Sequence, residues 1–164
     1  MYFKQIVFIG VLFLLTSLQA FHASQKDETG SFLPTGIYPI SESKTSIEKY
    51  FEKDEDTYFI VSKPIIAVER FDSVKVNKID DDLYGLQVTL DETGKKELAD
   101  ASTNAVGVKW AFIVNNYLWA VARVNTPITE GELVMSGGHF TQNYLEDIAS
   151  QIQKNIDELS QPRN

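Results

Sequence analysis

Alternating hydrophobic and polar positions in the C-terminal half of the chain predict a β-hairpin. Residues 109–114 and residues 117–122 form two alternating runs that meet at Asn115 and Asn116. Asparagine tolerates positive φ better than most residues, so this pair favours a two-residue hairpin with a type I′ turn. A short edge over residues 128–138 and a long amphipathic segment follow the hairpin, and all of them are expected to share one core.

The predicted register sorts the side chains of the hairpin onto two faces. One face carries large residues: Trp110, Phe112, Val114, Tyr117, Trp119 and Val121. The other carries Ala111, Ile113, Leu118, Ala120 and Ala122. Because small side chains allow close packing, we expect the helices to cover the alanine face. The aromatic face is then either a second core layer covered by residues 46–64 or a partly open binding surface. Its candidate binding residues are Trp110, Phe112, Tyr117 and Trp119.

Two helices are predicted. Asp91 is placed to cap the first, over residues 92–104, and Thr141 to cap the second. The second has an apolar stripe at helical spacing, made of Leu145, Ile148, Ala149, Ile152, Ile156 and Leu159. Strand patterns cover residues 58–62, 74–79 and 84–90. The resulting order, β-β-β-α-β-β-β-α, predicts the α+β class, a mainly antiparallel sheet with two helices on one face.

The N-terminal segment has the pattern of an export signal. Lys4 precedes an apolar run that is too short to span a bilayer comfortably, and Ala20 suits cleavage. We therefore expect a signal peptide over residues 1–20, an exported protein in the periplasm or outside the cell, and no stable membrane insertion after cleavage. Residues 21–56 are expected to be a flexible lead-in, with local docking of residues 36–40 and one or two helical turns over residues 46–53. The folded domain is expected over residues 57–160.

Composition narrows the classes of function. The formal net charge is −8, which argues against nucleic acid as the partner because its binding needs a basic face. The chain has no cysteine, so thiol nucleophiles, disulfides and thiolate metal sites are excluded.

Five pieces of sequence resemble the head subdomain of the first periplasmic domain of SecD, the translocase subunit. They are the strand leading into Pro64, residues 86–94, the helix end at residues 104–107, the hairpin, and the stretch from Pro127 to Thr141. The resemblance implies an α+β head-like domain over residues 57–160, present as a freestanding exported copy. The family usually turns its hairpin with Asp-Gly, where this chain has Asn115 and Asn116.

The resemblance implies a non-catalytic interaction module that contacts unfolded or translocating polypeptide, or an envelope protein, with no cofactor. Two alternatives stay open: a small exported hydrolase, and a periplasmic ligand-binding protein that uses the aromatic hairpin face. His139 beside Ser136 suggests a base and a nucleophile, although no third group orients them. Residues 80–82 are three aspartates that suit a Ca²⁺ ion in type but not in spacing, so a solvated turn is favoured.

Overall fold

The structure, a computed structural model, describes residues 32–137 and 140–161. The strands of this described part are β1 (Gly36–Ser41), β2 (Ile47–Phe51), β3 (Asp56–Ile60), β4 (Ile66–Ala67), β5 (Phe71–Asp80), β6 (Leu83–Leu90), β7 (Lys109–Val114), β8 (Tyr117–Arg123) and β9 (Glu132–Ser136). The helices are α1 (Glu92–Thr103) and α2 (Gln142–Ser160), and one turn of 3₁₀ helix (Val68–Arg70) precedes β5. The predicted α+β class, a mainly antiparallel sheet with two helices, is confirmed.

The strands form two antiparallel sheets. The first has the order β2-β3-β1-β7-β8, and β4 pairs with the same edge of β1 as β3 does. The second has the order β5-β6-β9. Strand β8 therefore ends the first sheet and β9 ends the second.

The hairpin forms with the predicted turn but with an irregular register. Asn115 and Asn116 have φ values of 48° and 71°, as a type I′ turn requires. Val114 pairs with Tyr117 as predicted, but a bulge between Phe112 and Ile113 leaves an extra residue on β8. Phe112 consequently pairs with Ala120 and not with Trp119. A bulge reverses the alternation of faces beyond it, and sequence alternation alone does not reveal this.

Two hydrophobic cores lie on opposite sides of the hairpin. The main core lies between the two sheets and the helices, and its hairpin residues are Trp110, Phe112, Val114, Trp119 and Ala120. The second core lies within the first sheet, and its hairpin residues are Ala111, Ile113 and Leu118. The helices therefore cover the aromatic face, and the expectation that they cover the alanine face is wrong. The first sheet curls until β2 approaches β8, and the alanine face packs inside this curl against Tyr38, Phe51 and Tyr58.

Part of the expected flexible lead-in is a strand in the middle of the first sheet. Strand β1 pairs with β3 and β4 on one edge and with β7 on the other, so the lead-in expectation is wrong from Gly36 onward. The glycine and prolines that suggested flexibility have places in the sheet. A Cβ on Gly36 would lie 2.8 Å from the Ile66 carbonyl oxygen, and the Pro39 carbonyl accepts from the Val61 N–H.

The helical turns expected over residues 46–53 are also absent, because β2 occupies this segment. Its alternation is hidden in the sequence by a lysine in the buried phase. Lys49 is 2% exposed and its ammonium donates to Asn116 Oδ1 at 3.0 Å. A buried charged group requires such a hydrogen-bond partner. The alternation of β2 can therefore be recognised only once Asn116 is known to accept from Lys49.

Both helices begin where predicted. The Asp91 carboxylate accepts from the Gly94 N–H, and the Thr141 hydroxyl accepts from the Tyr144 N–H. The stripe of α2 buries Leu145, Ile148 and Ile152 in the main core. Leu159 is 40% exposed, so the stripe stops contributing to the core before its predicted end.

Candidate functional site

An apolar cleft separates the two sheet edges formed by β8 and β9. Its volume is about 390 Å³. Trp110 and Phe112 contribute to its floor, Ala122 to the β8 side, and Leu133 and Met135 to the β9 side. Arg123 and Glu132 place opposite charges on its lining. No described strand pairs with the outer edge of β8 or of β9, although β2 approaches β8, and residues of both edge strands line the cleft.

A second pocket, of about 280 Å³, lies at the Tyr117 end of β8. We call it the aromatic pocket. It is lined by Phe51, Glu52, Lys53, Tyr117, Trp119, Phe140 and Tyr144. These residues come from β2 and the turn after it, from β8, and from the start of α2. The pocket therefore exists only in the folded chain.

A recess of about 230 Å³ lies between the cleft and the aromatic pocket. It shares Ala122 and Met135 with the cleft, and it shares Lys53 and Phe140 with the aromatic pocket. The three cavities thus follow β8 from Arg123 to Tyr117, and we refer to them together as the β8 groove. Glu132 and Leu133 line the cleft together with Arg123 and Val124, whereas Ser136 lines the recess together with Val121, so residue numbers rise in opposite directions along the two edges.

Stacked rings form the wall of the aromatic pocket. The ring of Phe140 stacks on Trp119 at 5.2 Å between centroids and on Tyr144 at 5.9 Å. The Lys53 ammonium lies 4.7 Å from the centroid of the Phe140 ring. Trp119 is 1% exposed, and its Nε1–H is buried without a hydrogen-bond partner of ordinary geometry among the described residues. The Tyr144 hydroxyl is the nearby group that interacts with this N–H.

The Glu52 carboxylate acts on both tyrosines of the aromatic pocket. Burial raises the pKa of Tyr117, and the Glu52 carboxylate, which accepts a hydrogen bond from the phenol, raises it further. Burial also raises the pKa of Tyr144; the Trp119 N–H opposes this shift, and the Glu52 carboxylate adds to it. Both phenols are therefore neutral at neutral pH, and their rings face a negative carboxylate.

Comparison with known proteins assigns the fold to a family. The family model of the SecDF P1 head subdomain matches residues 44–156, which is more than half of the chain. The chain belongs to the SecDF P1 head subdomain family. The match begins before β2, so the family domain includes strands that the sequence analysis left outside the folded part.

Two solved SecDF structures share this fold. One, described as a membrane component SecDF that enhances protein export, superposes with a TM-score of 0.56 at 12% identity. The match covers 76% of this chain and 63% of that one. SecDF in a super-membrane-facing form matches with a TM-score of 0.50 at 14% identity, over 58% of this chain and 13% of that one. No curated protein sequence matches the chain significantly.

Within this SecDF P1 head-like domain, the four predicted binding residues occupy two different places. Trp110 and Phe112 are buried on the floor of the cleft, whereas Trp119 is buried behind the aromatic pocket. Tyr117 is 37% exposed and is the one of the four at the surface. Of the two alternatives for the aromatic face, the core layer describes most of it, because Trp110, Phe112 and Trp119 belong to the main core.

The sequence analysis missed Glu52, Lys53 and Tyr144 as members of this site. Glu52 and Lys53 belong to a segment that was expected to be helical. Tyr144 lies on the predicted second helix but outside its apolar stripe. Phe140 directly precedes the predicted cap Thr141 and was not proposed as a site residue. No local signal marks these residues, because chain segments far apart in sequence bring them together.

The other candidate chemistry gains no support in the described ranges. His22, Gly138 and His139 lie outside the described residues. In residues 32–137 and 140–161, no group of three His, Cys, Asp or Glu side chains is arranged to hold a metal ion. Asp80, Asp81 and Asp82 are exposed, and Asp81 pairs with Lys78 at 3.2 Å. Over the same part of the chain, neither helix has the length and apolar character needed to cross a membrane.

Proposed function

We propose that this SecDF P1 head-like protein binds extended polypeptide segments in the β8 groove, as a non-catalytic module of protein export. The single observation that carries the proposal is the apolar cleft flanked by two unpaired sheet edges, β8 and β9. Membership of the SecDF family supports the export context, since one related SecDF structure is described as a membrane component that enhances protein export.

The two edges supply what an unfolded chain needs for strand addition. An extended segment that enters the groove can exchange backbone hydrogen bonds with an edge, which gives affinity without a fixed sequence. Because β8 and β9 run antiparallel to each other, such a segment lies antiparallel to one edge and parallel to the other. It would join the two sheets through a single added strand.

The floor of the groove supplies the apolar contribution to the free energy of peptide binding. Side chains that point down from an added strand meet Trp110, Phe112 and Met135, while alternate side chains point to solvent. Burial of apolar surface is worth roughly 25 cal/mol per Å², so a few such contacts give the weak, reversible binding that a translocating chain requires.

The location and extent of the protein are part of the same proposal. We infer a signal peptide over residues 1–20 that directs the chain to the periplasm or beyond, and no stable membrane insertion after its removal. An envelope protein that offers an extended segment would bind in the same way. We assign the groove no cofactor and no catalytic role, and the folded domain begins before residue 57.

Ala122→Phe tests the site directly. Ala122 is exposed and lines the cleft, so a phenyl ring there fills the groove while changing stability by less than about 0.5 kcal/mol. The probe is a fluorescein-labelled synthetic peptide, about as long as β8, in which valine and serine alternate. We expect the wild-type protein to bind it and the variant to bind at least about tenfold more weakly.

The matched control is Val108→Phe. Val108 is 45% exposed just before β7 and does not line the groove. Val108→Phe therefore adds the same exposed ring outside the groove, and peptide affinity should stay at the wild-type value. Equal affinity for all three proteins, or no binding to the wild-type protein, would show that the groove is not a polypeptide site.

A further inference from the structure

The aromatic pocket differs in chemistry from the rest of the β8 groove. The cleft is apolar, whereas the pocket combines several aromatic rings with a carboxylate. The turn after β2 makes its surroundings acidic, since residues 52–56 read Glu-Lys-Asp-Glu-Asp and are exposed. A ring face attracts a cation, and a carboxylate in the same pocket adds to this attraction.

The protein itself places a cation in this pocket. The Lys53 ammonium sits over the Phe140 ring at 4.7 Å, within the range of a cation–π contact. Lys53 is an exposed residue of the turn. The Tyr117 ring and the Glu52 carboxylate line the same pocket and interact with each other.

The buried Trp119 N–H is the second feature of the pocket that points to a guest. Its Nε1 atom lacks a hydrogen-bond partner of ordinary geometry among the described residues, although the side chain is 1% exposed. The Tyr144 hydroxyl interacts with this N–H outside the geometry of an ordinary hydrogen bond, so a guest that brings a carbonyl oxygen would offer the N–H a better acceptor. A peptide offers both a backbone carbonyl and, on lysine, an ammonium.

We infer that the aromatic pocket receives a lysine side chain of the polypeptide held in the groove, with Glu52 as the counter-charge and Tyr117 and Tyr144 as the flanking rings. The inference rests on the proposed function, because the polypeptide supplies the lysine. It assigns the groove a preference: apolar residues over the cleft and a cationic residue at the Tyr117 end.

The pocket can be tested without any peptide. n-Butylammonium reproduces the end of a lysine side chain, while n-butyrate and n-butanol have similar size without the positive charge. The two indole N–H signals, from Trp110 and Trp119, give separate NMR readouts in the purified protein. We expect butylammonium to shift the Trp119 signal saturably and the Trp110 signal much less, and the other two compounds to shift neither.

Two substitutions are expected to change the affinity for butylammonium in opposite directions. Glu52→Gln removes the counter-charge and should weaken butylammonium binding about fivefold, while Lys53→Met removes the resident cation and should strengthen it. Glu48→Gln is the matched control, since Glu48 is exposed on β2 and lines no part of the groove. A pocket for anions would give the reverse pattern: butyrate would shift Trp119, and Lys53→Met would weaken binding. That pattern overturns the inference.

A peptide pair separates this inference from the proposed function. One valine–serine peptide carries lysine near an end, and its partner carries norleucine, which has the same chain without the charge. We expect the lysine peptide to bind about fivefold more tightly to the wild-type protein and equally to Glu52→Gln. Equal binding of both peptides to the wild-type protein overturns the lysine assignment and leaves the groove intact. Failure of both peptides to bind overturns the proposed function, and the lysine assignment with it.

Discussion

The turn of the β7–β8 hairpin and the outer edge of β8 are neighbours that differ in hydrogen bonding. Other described segments bond to the turn, but none of them pairs with the edge. At the turn, Asn116 Oδ1 accepts from the Leu33 N–H at 2.9 Å and from the Lys49 ammonium at 3.0 Å. Asn115 donates its N–H to the Thr35 hydroxyl and its side-chain amide to Gln151. No described segment pairs with the outer edge of β8.

The difference separates polar groups that are hydrogen-bonded within the chain from backbone groups that can still bind a partner. The turn gathers the N-terminal segment, β2 and α2 around two asparagines, and its donors and acceptors are used within the chain. The edge of β8 keeps backbone groups available beside an apolar cleft. A folded protein seldom leaves a long edge next to an apolar surface unless something binds there, because such an edge invites aggregation.

Trp119 and Tyr117 give the largest predicted contrast within this hairpin. Trp119→Ser removes a buried ring that packs on Phe112 and Phe140, and we expect a loss of about 4 kcal/mol of unfolding free energy. Tyr117→Ser affects a partly exposed ring and should cost about 1 kcal/mol or less. Urea unfolding measures both. Similar small losses would mean that Trp119 is not part of the main core.

Breaking the turn should have the next largest effect. Asn116→Leu removes an acceptor from Lys49, which is buried, and places a branched side chain at positive φ, so we expect a loss of roughly 3 kcal/mol. Asn116→Asp keeps an acceptor oxygen and tolerates positive φ, and it should stay close to wild type in urea unfolding. If both variants lose the same amount, the acceptor at the turn is not what stabilises it.

Alkaline pH should lower the stability of the folded protein through Tyr38, a residue of β1. Burial, and then the Glu69 carboxylate, raise the pKa of Tyr38 to about 12. Between pH 10 and that value the unfolded chain loses the phenol proton while the folded chain keeps it, so stability falls as pH rises, by about 3 kcal/mol in all. Tyr38→Phe should show a shallower decline of unfolding free energy over this window than the wild-type protein. Parallel declines would mean that other groups dominate.

Local patterns predicted the turn, the two helix caps and the α2 stripe because each depends on residues close together in sequence. Asn115, Asp91 and Thr141 carry their conformational preferences into any context. The position of β2 could not be predicted, since buried Lys49 hides its alternation until Asn116 is known to accept from it. The bulge at Trp119 was equally hidden, and it decides which face the later residues of β8 occupy.

The candidate site was predictable only in part, for the same reason. Tyr117 at the end of the aromatic face was identified from the hairpin pattern alone. Its partners Glu52 and Tyr144 come from β2 and from the first turn of α2, and no spacing in the sequence relates them. The cleft depends on how the edges of two sheets approach each other, which no local periodicity encodes.

Disulfide capture tests the central claim, that the open edge of β8 receives an extended polypeptide. The chain has no cysteine, so Ala122→Cys and Val134→Cys each introduce a single thiol, one on either side of the cleft. Val108→Cys supplies an exposed thiol outside it. The probe is a valine–serine peptide with one central cysteine, activated as a mixed disulfide with 2-nitro-5-thiobenzoate; the protein thiolate attacks the peptide sulfur, and the nitrothiobenzoate leaves as the thiolate. The account predicts disulfide formation at positions 122 and 134 at least about tenfold faster than at 108, because binding raises the effective concentration of the thiols. Equal rates at all three positions would contradict it.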